Sequence, residues 1–215
     1  MDNSDLLSLI KEQLSHPLPG IESQLRMSPK HRAEELKDAQ SKITNAKRSG
    51  VMLLLYNAND DVKLVCIRRS DYVGIHAGQM GLPGGRYEEF DKNTMQTALR
   101  ETEEEIGVSG NIIEIAGRLS GLYIPPSNFY VDPYVGFLEQ KPVYHIDVRE
   151  VKAVEEISLN ELLNESAVKT KEFKTHGKES KTQAPYYEIG NVEIWGATAM
   201  ILSEFLEIVK RATNK

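Results

Sequence analysis

At 215 residues, with 40% hydrophobic and 27% charged side chains, the chain is long enough to bury the core of one domain with extensions. A net charge of −6 and a pI near 5.5 argue against a broad nucleic-acid-binding face, although they leave room for a local basic pocket. No apolar stretch approaches the roughly 20 residues that span a bilayer, and the single cysteine, Cys66, excludes an internal disulfide framework and a multi-cysteine zinc site. The N-terminus carries Asp2 and Asp5 in place of the basic and apolar regions of a secretory signal. Cytoplasmic residence is therefore the expectation, with neither nucleic acid nor a membrane as partner.

In chain order, Leu6, Leu7, Ile10 and Leu14 recur at helical spacing and predict a short amphipathic helix, which His16-Pro17-Leu18-Pro19-Gly20 ends. Ser28 to Arg48 is polar and Lys/Arg/Glu-rich, which reads as a solvated helix or loop, so residues 1–46 are expected to form a peripheral extension and 47–212 the domain. Val51 to Tyr56 is a continuous apolar run suited to a strand buried on both faces, and Val62 to Ile67 is its returning partner across a polar turn. A glycine-punctuated segment, Gly74 to Gly85, leads into a helix from about Lys92 to Ile106, with Gly107 as its C-cap. Strands are predicted at Ile112–Leu119, Val131–Leu138 and Lys152–Ile157, and Ser158 followed by Glu161 marks a helix start. Residues 169–184 read as a polar loop, Tyr186 to Ile194 as paired short strands around Gly190-Asn191, and Thr198 to Arg211 as an amphipathic helix. Strands interspersed with helices indicate an α/β (α+β) layered domain. Both terminal helices have apolar faces that need covering, and a homodimer is one arrangement that would cover them; the sequence leaves the oligomeric state open.

Chemistry is concentrated between Gly84 and Val108. Glu101, Glu104 and Glu105 are spaced i, i+3 and i+4, so their carboxylates share one helical face. They also sit at the helix C-terminal end, where the macrodipole disfavours anions. Both penalties reverse if a hard divalent cation is bound there, because Mg²⁺ or Mn²⁺ takes oxygen ligands. The acidic cluster alone reads more readily as a solvated helix end. Gly84-Gly85, an acidic loop, Arg100 beside the first glutamate and the closing Gly107-Val108 weigh the other way.

The segment resembles the Nudix box, G-x5-E-x7-R-E-U-x-E-E-x-G-U, with Arg100, Glu101, Glu104, Glu105, Gly107 and Val108 in register. Thr102 stands where an aliphatic residue is usual, and counting from Gly85, Asp91 takes the place of the first glutamate with one extra residue before Arg100. This lengthened form resembles the coenzyme A pyrophosphatase branch of the Nudix hydrolases. The resemblance implies the Nudix fold, a mixed β-sheet sandwiched between helices. It also implies a divalent cation, Mg²⁺ or Mn²⁺, held by Glu101, Glu104 and Glu105 with a backbone carbonyl near Gly84 or Gly85. Arg100 would orient a glutamate. The general base is one of the helix glutamates or Glu150, whose bland alternative is an exposed loop carboxylate.

The wider signature of that branch is matched by Arg69, Ser70, His76, Gly78, Gln79 and Pro83, while Gly74 replaces a second arginine and Leu82 a phenylalanine. By resemblance Arg68, Arg69, His76 and Gln79 are candidate substrate-binding residues, although His76 taken singly reads as a structural histidine. Pro133 to Leu138 and Ile194-Trp195-Gly196-Ala197-Thr198-Ala199 extend the match; Trp195 is expected to be a core or helix-docking aromatic. The implied partner is a small nucleoside diphosphate derivative, with coenzyme A or acyl-CoA first. Alternatives of the same fold are ADP-ribose, a nucleotide sugar or a dinucleotide, and, from a different class, a non-catalytic binding module. Cys66 falls within a predicted strand, where a buried structural thiol is expected rather than the catalytic cysteine of an isomerase.

Overall fold

The computed structural model describes residues 3–29, 32, 43–58, 61–70, 78–174 and 181–213. Two helices open the chain, α1 (Asn3–Leu14) and α2 (Gly20–Leu25), followed by strands β1 (Lys47–Ala58), β2 (Asp61–Arg69), β3 (Met80–Gly81) and β4 (Gly84–Arg86). Helix α3 (Thr94–Ile106) precedes β5 (Glu114–Arg118), β6 (Leu122–Ile124), β7 (Phe129–Leu138) and β8 (Val151–Ser158). A short α4 (Leu159–Leu163), then β9 (Val168–Lys174), β10 (Lys181–Ile189), β11 (Val192–Trp195) and α5 (Gly196–Ala212) complete the chain.

The main sheet runs β3-β2-β1-β7-β5, with β4 paired to β1, β6 to β7 and β8 to β2. It is mixed, because β1 and β7 run parallel while their other neighbours are antiparallel. The apolar run in β1 feeds two layers, as period-two geometry requires. Leu53 and Leu55 face a core completed by α1 and α5, while Met52, Leu54 and Tyr56 face a second core with Ala98 and Ile106 of α3. The result is a mixed sheet between helical layers, the architecture expected from the sequence. Among the described residues no helix is long and apolar enough to cross a membrane.

One expectation meets a different outcome. Residues 169–184 were read as a loop, yet the described part forms β9 and the start of β10, paired from Lys174↔Lys181 to Val168↔Tyr187. The lysines that suggested solvation are paired with carboxylates: Lys169 and Lys171 on the edge strand β9 with Glu188 and Glu193, and Lys181 on the central β10 with Glu172. The Pro17–Gly20 segment ends α1 as expected, and α2 begins at Gly20. The terminal helices cover their apolar faces on one another: α1 and α2 pack on α5, and Ile10 is fully buried in the main core.

A buried carboxylate fastens these outer helices. Glu204 on α5 accepts the Gly20 N–H at 3.0 Å, the Gln24 Nε2 at 2.8 Å and the Ser120 N–H at 3.2 Å. A fully buried acid is tolerable because backbone and amide donors replace its hydration.

Candidate active site

Helix α3 carries the carboxylates, and its ends are set by local chemistry. Asn93 caps the first turn by accepting from the N–H groups of Met95 and Gln96, and Gly107 closes the last in the left-handed region at φ 73°. Thr102, the polar residue where an aliphatic one is usual, is fully buried. Its hydroxyl bonds the Ala98 carbonyl at 2.7 Å and so leaves no unsatisfied donor.

The glycine pair is dictated by close approach. A Cβ on Gly84 would lie 2.4 Å from the Gly50 carbonyl oxygen, and one on Gly85 would lie 2.3 Å from Cδ of Glu101. With no side chain in the way, the Gly84 N–H donates to Glu105 Oε2 at 2.8 Å and the backbone of Gly85 lies against the Glu101 carboxylate. Glu105 is almost wholly buried. Burial pushes its carboxyl up to about 7, against the pull of Arg69, whose Nη1 stands 3.8 Å away, and of the Gly84 N–H. Burial likewise raises Glu101, partly offset by its bond from Arg100.

Glu150 arrives from a distant part of the chain. The segment after β7 runs past the end of α3, where the N–H groups of His145 and Asp147 bond the carbonyls of Ile106 and Glu105 at 2.9 and 3.0 Å. The Ser70 N–H bonds the Glu150 carbonyl at 2.9 Å. Carboxylate oxygens of Glu101, Glu105 and Glu150 consequently lie within 4.8 Å of one another. Glu104 is placed differently: it is exposed and held by Arg100 Nη1 at 2.9 Å. Arg100 also donates to Glu101 at 2.7 Å and is itself forked onto Asp91, so one guanidinium spaces two of the predicted carboxylates.

Beside this cluster lies a cavity of about 380 Å³. Gly84, Gly85, Arg69 and Gln79 form its wall on the carboxylate side. Arg68, predicted with Arg69, does not line it and pairs instead with Glu155 at 3.0 Å, because adjacent strand residues point to opposite faces. His76 and Gly74 lie outside the described residues. Trp195 stacks on Phe173, with centroids 4.2 Å apart, and also lines the cavity. It is thus a packing aromatic and a wall at once. Sequence reasoning missed Arg86 as a cavity residue, although its position directly after the glycine pair was a usable signal.

Three close carboxylates repel one another, and an oxygen-binding divalent cation would relieve that repulsion. The donor set and the bare backbone at Gly85 fit such an ion. A helix end bearing clustered acids, approached by a glycine strand and flanked by an arginine-lined cavity, defines a metal-assisted hydrolase of phosphoric anhydrides. The profile of the NUDIX domain matches residues 46–176, and the chain belongs to the Nudix hydrolase family. It is similar to the "Uncharacterized Nudix hydrolase NudL" of Yersinia pestis (strain Pestoides F), 30% identical over 162 residues, covering 75% of this chain and 80% of the relative. The protein of the same description from Yersinia pseudotuberculosis serotype O:1b (strain IP 31758) matches equally. Among solved structures, a MutT/nudix family protein from Enterococcus faecalis shares the fold, with a TM-score of 0.54 at 17% identity over 87% of this chain and 81% of that one. Family membership defines the reaction as hydrolysis of a diphosphate linkage in a nucleoside diphosphate derivative, with a divalent metal generally required.

Proposed function

We propose that this chain hydrolyses the diphosphate of coenzyme A or acyl-CoA, using Mg²⁺ or Mn²⁺, to a phosphopantetheine product and adenosine 3′,5′-bisphosphate. The observation that carries the reading is the junction at Gly84-Gly85, where the glutamate cluster meets a cavity lined by arginines and apolar side chains. A diphosphate at the junction and a bulky, partly apolar substituent in the cavity match those two chemistries.

Glu101 and Glu105, with the carbonyl of Gly85, would hold the cation; Glu104 is a further carboxylate available on the same helix. A divalent cation held by these residues would supply charge neutralisation for the diphosphate and Lewis acidity toward the attacking water. Arg100 fixes the Glu101 carboxylate. Arg69 and Gln79 orient the substrate phosphates from the cavity side. Glu150, the exposed member of the cluster, accepts the proton of the attacking water.

A second substrate reading, ADP-ribose or another nucleotide derivative, is favoured by Gly74, which removes an arginine from the coenzyme A signature. Coenzyme A, NADH, ADP-ribose and UDP-glucose, incubated side by side with Mg²⁺ and analysed by chromatography, separate the two. The first reading requires coenzyme A to have the highest kcat/KM. Rapid cleavage of another member with poor cleavage of coenzyme A selects the second, and no cleavage of any points to a binding module.

A further inference from the structure

Of the three carboxylates that converge beside the cavity, two are held directly. Glu101 accepts from Arg100 at 2.7 Å, and Glu105 accepts from the Gly84 N–H at 2.8 Å with Arg69 close by. Glu150 has no such support, since among the described residues none donates a hydrogen bond to its carboxylate. Burial does not hold it either. Val148, Arg149 and Glu150 are all exposed, Val148 by 79%. The place of this carboxylate therefore depends on how its backbone is anchored.

Ser70 supplies the anchor on the sheet side. The pairing of β2 with β8 slips by one residue, from Arg68↔Ala153 to Arg69↔Val151. Such an irregularity re-aims the chain, and here it sets Ser70 against Glu150. The Ser70 N–H donates to the Glu150 carbonyl at 2.9 Å, and the Ser70 hydroxyl donates to the Val148 carbonyl at 3.1 Å. One residue thus grips the turn on both sides of Arg149. The start of the turn is fixed on α3, where the Asp147 N–H donates to the Glu105 carbonyl at 3.0 Å.

Resting on the proton-accepting role proposed for Glu150, we propose that Ser70 is a positioning residue for that step. Its hydroxyl holds the 147–150 turn so that the Glu150 carboxylate stays beside Glu101 and Glu105. A general base works only within hydrogen-bond reach of the proton it removes, and a displacement of about 1 Å is enough to cost rate.

Ser70→Ala removes the hydroxyl and keeps the backbone bond. Turnover of coenzyme A, NADH, ADP-ribose and UDP-glucose is measured, and the compound that the wild type cleaves fastest is carried through Ser70→Ala, Ser70→Thr, Glu150→Gln and the double variant Ser70→Ala/Glu150→Gln. Ser70→Ala is expected to lower kcat roughly 3–10-fold, the worth of one hydrogen bond, with KM unchanged. Ser70→Thr, which restores a hydroxyl, should recover the rate. Glu150→Gln should lower kcat by roughly 10²–10⁴, and adding Ser70→Ala to it should cost nothing further, because the group being positioned is gone. Amide exchange at Arg149, Glu150 and Val151 should quicken in Ser70→Ala while α3 keeps its protection. Unchanged kcat in Ser70→Ala, or an equal loss in the Glu150→Gln background, overturns the inference and leaves the role of Glu150 standing. Full turnover in Glu150→Gln, or no cleavage of any of the four compounds by the wild type, sinks the reading of Glu150 itself. Faster exchange confined to the turn then upholds Ser70 as its anchor, and unchanged exchange overturns it.

Discussion

Arg100 is gripped by Asp91 through a two-point fork, Nε to Oδ1 and Nη2 to Oδ2, each at 3.0 Å. Asp91 is buried and also accepts from Thr97 Oγ1 at 2.8 Å, so the lengthened loop ends in an anchor for the arginine that in turn holds Glu101. The Arg100 guanidinium holds the Asp91 carboxyl down to about 2, against an ordinary 3.8.

That depression has a definite sign. A carboxyl whose folded pKa is lowered contributes stability that is fully present above its ordinary value and is lost as pH falls through about 2. Asp91→Asn should cost about 2 kcal/mol in urea unfolding at pH 7, and the gap to wild type should close as pH falls from about 4 to 2. A gap that stays constant with pH would show that the fork contributes nothing electrostatic.

Glu101→Gln and Glu105→Gln should each lower kcat by about 10²–10³ while the chain stays folded. EDTA should abolish activity, and Mg²⁺ or Mn²⁺ should restore it. Added Mg²⁺ should raise the Tm of the wild type and not that of either variant, since a ligand stabilises only the state that binds it. Glu104→Gln tests the fourth carboxylate. If Glu104 joins the metal, that variant loses several orders of magnitude in rate; if it only balances Arg100, the loss stays below about tenfold.

The two glycines should fail in different ways. Gly84→Ala drives a Cβ against the Gly50 backbone at a φ of 149°, so it should destabilise the fold, measured as a fall in Tm. Gly85→Ala meets the Glu101 carboxylate instead, so stability should change little while the Mn²⁺ concentration for half-maximal activity rises roughly 10–100-fold. Equal loss of Tm in both would remove the functional assignment of Gly85.

Cys66 is fully buried in β2, and burial pushes its thiol up to about 12. A thiol-directed reagent at pH 8 should leave it unmodified in the native chain, label one thiol in urea and leave hydrolysis unaffected. Rapid native labelling coupled to inactivation would return a cysteine mechanism to consideration.

Glu204→Leu should cost about 2–4 kcal/mol by chemical denaturation, because the Gly20 and Ser120 N–H groups lose a buried acceptor. The loss should fall on α1 and α2 first, seen as faster amide exchange there than in β1.

The sequence alone determined the layered fold, because its signals are local. The unbroken apolar run of β1, the Gly107 cap and the i, i+3, i+4 acids each act within a few residues. The Nudix box was legible for the same reason, and it carried Glu101, Glu105 and Arg100 to one helix end. Tertiary structure decided which carboxylates meet. Glu150 lies 45 residues from Glu105 in sequence and joins it through backbone bonds from Asp147 and Ser70, which no side-chain pattern encodes. Glu104, adjacent to Glu105 in sequence, leans instead on Arg100. Arg32 lines the cavity beside residues far from it in sequence, and the Lys-rich stretch after Val168 becomes strand through its backbone pairing with β10. Helical spacing placed the acids on one face; packing between distant segments selected their partners.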